Sequence, residues 1–242
     1  MKKTRLQKTL LVLFNVAVIS LFLASSCTVC ADGEGAEVKE NRELGDFTEL
    51  EIDLDADVVI HVGDQPHVSI SAQENLHKVI STDVRGNNLV IEARPCINTK
   101  GRVQIELTVK SLSIIKLNGS ADITAMDEIH SDQLELKING SGNIMADIFT
   151  NQLDAKINGS GNVIIAGTAK EADVVINGSG DVRAESLQAY KADIRINGSG
   201  DVDINALNDL KVIVKGSGDV TYSGDPSVKT SISGSGSVTK MN

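Results

Sequence analysis

Four sets of residues in this sequence have side chains and spacings that could do chemistry. The first is a column of oxygen donors: Asp122, Asn143, Asn162, Asp181, Asp201 and Asp219 each close a glycine-rich phrase that returns about every twenty residues. Carboxylate and carbonyl oxygens suit calcium. Calcium-holding β-helix repeats, however, recur about every nine residues, and two middle members here are neutral Asn. Turn chemistry explains the same residues, so no metal and no cofactor is expected. The second set is Glu135, Asp154, Asp173 and Asp193, again at one fixed offset. A polysaccharide-cleaving enzyme would use such a face. Lys137, Lys156 and Arg195 lie two residues further on, which reads as a neutralised ladder. The third is His61, His67, His77 and His130. None has the His-Glu-x-x-His spacing of a zinc site. His61 and His67 could face each other across the Gly63–Pro66 turn, and an ordinary surface pair is the preferred reading. The repeated Gly-Ser-Gly has no recurring His partner and is not a nucleophile elbow. The fourth is Cys27, Cys30 and Cys96. If an export signal is removed, Cys96 stands alone and no disulfide framework is expected. No catalytic set emerges, and the protein is read as not an enzyme.

The elements that would position these residues are set by the phrase itself. It reads Asn118-Gly119-Ser120-Ala121, then Asn139-Gly140-Ser141-Gly142, Asn158-Gly159-Ser160-Gly161, Asn177-Gly178-Ser179-Gly180 and Asn197-Gly198-Ser199-Gly200. Two worn copies keep Gly216 with Gly218 and Gly234 with Gly236. Two residues before the first Gly stand Leu117, Ile138, Ile157, Ile176, Ile196, Val214 and Ile232; four after it stand Ile123, Ile144, Val163, Val182, Val202, Val220 and Val238. Further apolar residues sit four and six before. Apolar residues at alternate positions mean strands with one buried face. Each unit is therefore strand, sharp turn, strand. Asn-Gly is also the strongest hairpin signal, so a hairpin array competes with a solenoid of stacked parallel coils. The solenoid is preferred, because one side-chain type recurs at one offset in copy after copy. Stacked corners need small residues and positive φ, which glycine supplies.

At these residues the chain resembles the head GIN domain family, also called the putative auto-transporter adhesins, over roughly residues 45–240. The resemblance implies an all-β fold, a single-stranded right-handed β-helix, at the cell envelope. It implies no catalytic or ligand residues.

The 242 residues allow one elongated domain or two small ones. Aromatics are 2% of the chain, and the formal charge is −10. An acidic chain argues against nucleic acid and against electrostatic attachment to anionic lipid. Residues 1–31 read as an export signal: Lys2, Lys3, Arg5 and Lys8 precede an apolar run from Leu10 to Ala24. Two endings compete. Val29-Cys30-Ala31 suits ordinary signal peptidase, whereas Leu23-Ala24-Ser25-Ser26-Cys27 is a loose lipobox that would leave Cys27 acylated, an outer-membrane lipoprotein. Residues 32–44, rich in Gly and charge, read as a flexible tether. Residues 45–115 alternate as strands without clear repetition and read as degenerate coils or a small β cap; residues 116–242 are the regular array. The expected function is a non-enzymatic binding or adhesion module with a glycan or protein ligand at the cell surface. A polysaccharide-active enzyme and a structural envelope scaffold are the alternatives.

Overall fold

A computed structural model of the chain describes residues 29–241. Most of the expected export signal, with Cys27, lies outside the described residues. From Ala31 onward the chain is one compact unit. Its main element is a single 17-stranded sheet, wound as a β-solenoid of about 7 turns with ~19-residue coils. In chain order the strands are β1 (Ala31–Asp32), β2 (Glu37–Glu43), β3 (Glu49–Asp53), β4 (Ala56–Val62), β5 (His67–Gln73), β6 (Ile80–Arg85), β7 (Asn88–Ala93), β8 (Ile97–Asn98) and β9 (Val103–Val109). The array continues with β10 (Ile114–Gly119), β11 (Asp122–Ala125), β12 (Ile129–Gly140), β13 (Asn143–Gly159), β14 (Asn162–Gly178), β15 (Val182–Gly198), β16 (Val202–Gly216), β17 (Val220–Ser223), β18 (Ser227–Gly234) and β19 (Val238–Lys240).

The coils stack in parallel and in register, as the aliphatic columns predict. One column runs Ile91, Ile52, Leu117, Ile138, Ile157, Ile176, Ile196, Val214 and Ile232. Another runs Ile105, Val58, Ile123, Ile144, Val163, Val182, Val202, Val220 and Val238. Nearly all of these side chains are buried; the last coil, with Ile232 at 42% exposure, is open to solvent. Each buried aliphatic side chain stabilises the stack by roughly 1.5–3 kcal/mol. A one-residue slip would turn a whole column outward, which fixes the register.

The corner follows from the Asn-Gly phrase. Gly178 has φ +148, and a Cβ there would run into the carbonyl oxygen of Gly159 one coil below. That carbonyl accepts the Ser179 N–H at 2.9 Å. The asparagines form a ladder: Asn139 donates to Asn118 at 2.8 Å, Asn158 to Asn139, Asn177 to Asn158 and Asn197 to Asn177, each at 2.9 Å. Glu51 ends the ladder by accepting from Asn118 at 2.7 Å.

The N-terminal half is both coils and cap, in an order the sequence does not reveal. The coil made by β3 and β4 packs directly under β10 and β11, and the later strands β7 and β9 lie outside it. Antiparallel strands close this end: β5 pairs with β9, β6 with β7, and β2 with β5. Three expectations are corrected here. The segment read as a flexible tether contains β2, which pairs with β5 along its full length from Glu37 to Glu43; Arg42 donates to the carbonyls of Ile80 at 2.8 Å and His77 at 3.0 Å, pinning the strand. Ala31, read as the last residue of the leader, and Asp32, read as the first of the tether, form β1, in parallel with β8. Cys96, read as solitary, is disulfide-bonded, as is Cys30.

Candidate functional site

The middle coils β13, β14 and β15 carry the most unusual outward-facing side chains. Along β13, Ile148 and Thr150 point into the bore, and Phe149 and Asn151 therefore point out. Phe149 is 55% exposed, and Tyr190 of β15 is 46% exposed. They line one shallow groove of about 400 Å³ with Thr150, Asn151, Thr168 and Lys170. Register aligns His130, Phe149, Thr168 and Gln188 in one outward column. The His130 ring extends the aromatic strip, with centroids 5.5 Å apart and planes tilted by 37°. A second hollow of about 280 Å³ adjoins along the same strands, lined in part by Met145, Ile164 and Ala166.

The groove has a firm floor. Thr150 is 4% exposed, and its hydroxyl lies 2.9 Å from the Gln152 carbonyl and 3.3 Å from that of Asp132. Beneath it, Ile148 and Leu153 are fully buried. The result is a rigid surface with two apolar rings, a hydroxyl, an amide and an ammonium. Such a surface can stack on an apolar ring face while hydrogen-bonding its polar substituents. Sequence reasoning did not single out Phe149 or Tyr190. The signal was present, because both occupy outward positions in a chain with very few aromatics.

The acidic column also forms. Glu135, Asp154, Asp173, Asp193 and then Lys211 are in register. The basic column beside it is interrupted: Lys137 and Lys156 are followed by Val175 before Arg195. The expected neutralised ladder therefore fails at one rung. Asp193 is held by Arg195 and Lys211, each at 2.9 Å. Asp173 has no basic residue at the matching place, and partial burial, then Asp193 and Asp154, push its carboxyl above the ordinary range.

The column of oxygen donors is used within the turns. Asp181 N–H bonds to Asn162 Oδ1 at 3.0 Å, Asp201 N–H to Asp181 at 2.9 Å, and Asp219 N–H to Asp201 at 2.8 Å. At its N-terminal end, Asp122 is gripped by Arg102, which also binds Asp55 at 2.9 Å and Asp57 at 2.6 Å. Despite the cost of burial, the Arg102 hydrogen bond holds the Asp122 carboxyl below its usual value. Among the described residues no group of three or more His, Cys, Asp or Glu side chains is placed to hold a metal ion. The histidines serve separate local roles. His61 and His67 lie on either side of β9, both opposite Thr108, so they flank a strand instead of meeting across a hairpin. His77 is buried with Nε2 3.1 Å from the Val38 carbonyl. His130 lies 2.6 Å from Glu128.

Comparison with known proteins agrees with this architecture. No curated protein matches the chain. A putative adhesin from Bacteroides fragilis superimposes with a TM-score of 0.83 at 21% identity, covering 87% of this chain and 99% of that one. A structure from Parabacteroides distasonis described as a putative lipid binding protein gives 0.76 at 26% identity, covering 88% and 100%. A putative adhesin from Parabacteroides merdae gives 0.74 at 22%, covering 88% and 99%. The sequence model of the putative auto-transporter adhesin, head GIN domain family matches residues 46–226, and with the stacked Asn-Gly corners this establishes that the chain belongs to that family.

Proposed function

We propose that the protein is an exported, non-enzymatic binding module of the cell envelope, and that the groove between Phe149 and Tyr190 takes a carbohydrate chain. The observation that carries the reading is the exposure of these two rings in one groove, in a chain whose aromatics are 2% of residues. Apolar surface gathered in one place and rimmed by polar side chains marks contact sites, whereas rings scattered singly do not. Pyranose rings present an apolar C–H face with hydroxyls around the rim. Phe149 and Tyr190 match the face, and Asn151, Thr168 and Lys170 match the rim. A lipid tail would need an enclosed apolar cavity, and this groove is open. The adhesin description of the family supports a surface-binding role.

The test is titration of the folded protein with soluble neutral and acidic polysaccharides. Wild type is expected to bind, and Phe149→Ala and Tyr190→Ala are each expected to weaken binding about tenfold, a loss of about 1.4 kcal/mol. Wild-type protein that binds no member of a broad set sinks the carbohydrate assignment.

A second reading has one specific observation behind it. The raised carboxyl of Asp173, flanked by Asp154 and Asp193 in register, resembles the paired acids of a glycan-cleaving site. Turnover assays on the same polysaccharides decide this. Turnover abolished by Asp173→Asn would establish it, and absence of any turnover removes it.

A further inference from the structure

We propose that the groove between Phe149 and Tyr190 selects an acidic polysaccharide, and that Lys170 reads the sugar's anionic group, a carboxylate or a sulfate. The inference rests on the carbohydrate reading of the groove and adds a charge preference to it. The lining is Phe149, Thr150, Asn151, Thr168, Lys170 and Tyr190. Lys170 is the one acidic or basic side chain among them, in a chain with 33 acidic residues against 23 Lys and Arg.

The path of the strands explains this isolation. Lys170 and Glu171 are both exposed between the buried Ala169 and Ala172, and Tyr190 and Lys191 are both exposed between the buried Ala189 and Ala192. Two successive outward residues break the alternation of a flat strand, so the coil turns a corner there. Glu171 and Lys191 are in register and form an ion pair at 3.3 Å. They are not part of the groove lining, whereas Lys170 and Tyr190 are. The carboxylate next to Lys170 in sequence thus points away from the groove and is already matched.

The other acids near the groove are distant or engaged. Asp132 lies in the column of Asn151 and Lys170, two coils from Lys170. Two strand spacings make that about 10 Å, and Asn151 donates to Asp132 at 3.0 Å. Glu128 lies 2.6 Å from His130. Asp147 is four residues along β13 from Asn151, about 13 Å. The net charge of −10 opposes a polyanion at long range. Salt screens exposed charges beyond about 8 Å, so Lys170 decides the sign at contact.

The spacing of the rings shows how a chain would lie. Phe149 and Tyr190 stand two coils apart in neighbouring outward columns, roughly 12 Å from strand spacing and rise. One pyranose ring does not touch both, so they stack on separate sugars of one chain that crosses the coils. Lys170 stands on the coil between them, beneath the intervening stretch. Its compact ammonium on a flexible stem suits a carboxylate or a sulfate at the sugar rim.

The experiment titrates the protein with two matched pairs: polygalacturonate against its carboxyl-reduced form, and dextran sulfate against dextran. The pairs distinguish carboxylate from sulfate. Wild type is expected to prefer the acidic member of at least one pair by about fivefold, the upper range for an exposed charge contact, and to lose that preference as salt is raised. Lys170→Met is expected to bring the acidic-to-neutral ratio to about one while melting as wild type does, since the side chain is exposed. Lys170→Arg is expected to keep the preference, as is Lys191→Met outside the groove. Equal binding of both members by wild type, a preference that survives in Lys170→Met, or one lost equally in Lys191→Met overturns the assignment to Lys170. Where such binding is still weakened by Phe149→Ala, the carbohydrate reading stands without its charge preference; binding to none of the four polymers removes both.

Discussion

Asn177 donates its side-chain amide to the side-chain carbonyl of Asn158, one coil below, at 2.9 Å. It accepts from Asn197, one coil above, at the same distance. Asn177→Ala removes both bonds and leaves two neighbours half-satisfied. Since the ladder borders solvent, water compensates in part, and the expected loss is about 1–2 kcal/mol. Denaturant titration measures it; a midpoint unchanged from wild type would show that the ladder follows the corner geometry without stabilising it.

The glycine beside it is under a different constraint. Gly178→Ala must place a Cβ at positive φ and against the Gly159 carbonyl oxygen. Strain and clash together should exceed about 3 kcal/mol. Gly86 also has positive φ, yet nothing lies within 4 Å of a Cβ there, so Gly86→Ala should cost about 1 kcal/mol. Comparing the two melting temperatures separates backbone strain from stacking. Equal losses would contradict close coil contact at the corner.

Burial predicts a third contrast. Ile176 is fully buried in the aliphatic column, and Met145 on the next face is 46% exposed. Ile176→Ala should cost ~2–5 kcal/mol by opening a cavity between stacked neighbours. Met145→Ala should cost under about 0.5 kcal/mol. Similar denaturation midpoints for the two variants would refute the inward and outward assignment.

The regular coils were legible because Ile138, Ile157, Ile176 and Ile196 repeat one offset, and only stacking in register uses that repetition. Two other parts were hidden, for separate reasons. Strand β2 reads Glu-Val-Lys-Glu-Asn-Arg-Glu and buries little; it is held by pairing with β5 and by Arg42, neither of which leaves a local pattern. The placement of β3 and β4 between β10 and β11 on one side and the later β7 and β9 on the other is a long-range choice that alternation alone does not encode. At the candidate site, the acidic column was legible from spacing. The effect of Val175 on it emerged only once Asp173 was placed in register beside Asp154 and Asp193.

That missing cation yields a prediction with a definite sign. Burial and the two flanking carboxylates raise the Asp173 pKa above its ordinary value of 3.8. The folded state therefore holds this proton more tightly than the unfolded chain does, and ionised Asp173 opposes folding. The penalty is absent below pH 3.8, grows as pH rises through the folded value, and is fully present at neutrality. Asp173→Asn should therefore raise the melting temperature at pH 7 and lose this advantage as the pH falls below 3.8. Glu51 provides the opposite case. Burial alone would raise its pKa, but Lys116 and Asn118, each 2.7 Å away, with Asn88, bring it below the ordinary 4.5. Its contribution is present above pH 4.5 and is lost as the pH falls through the folded value. Glu51→Gln should thus lower the melting temperature at pH 7 and converge with wild type in acid. Melting curves from pH 3 to pH 7 on both variants read the two signs, and a destabilised Asp173→Asn at neutrality would show that Arg195 and Lys191 already offset the repulsion from Asp154 and Asp193.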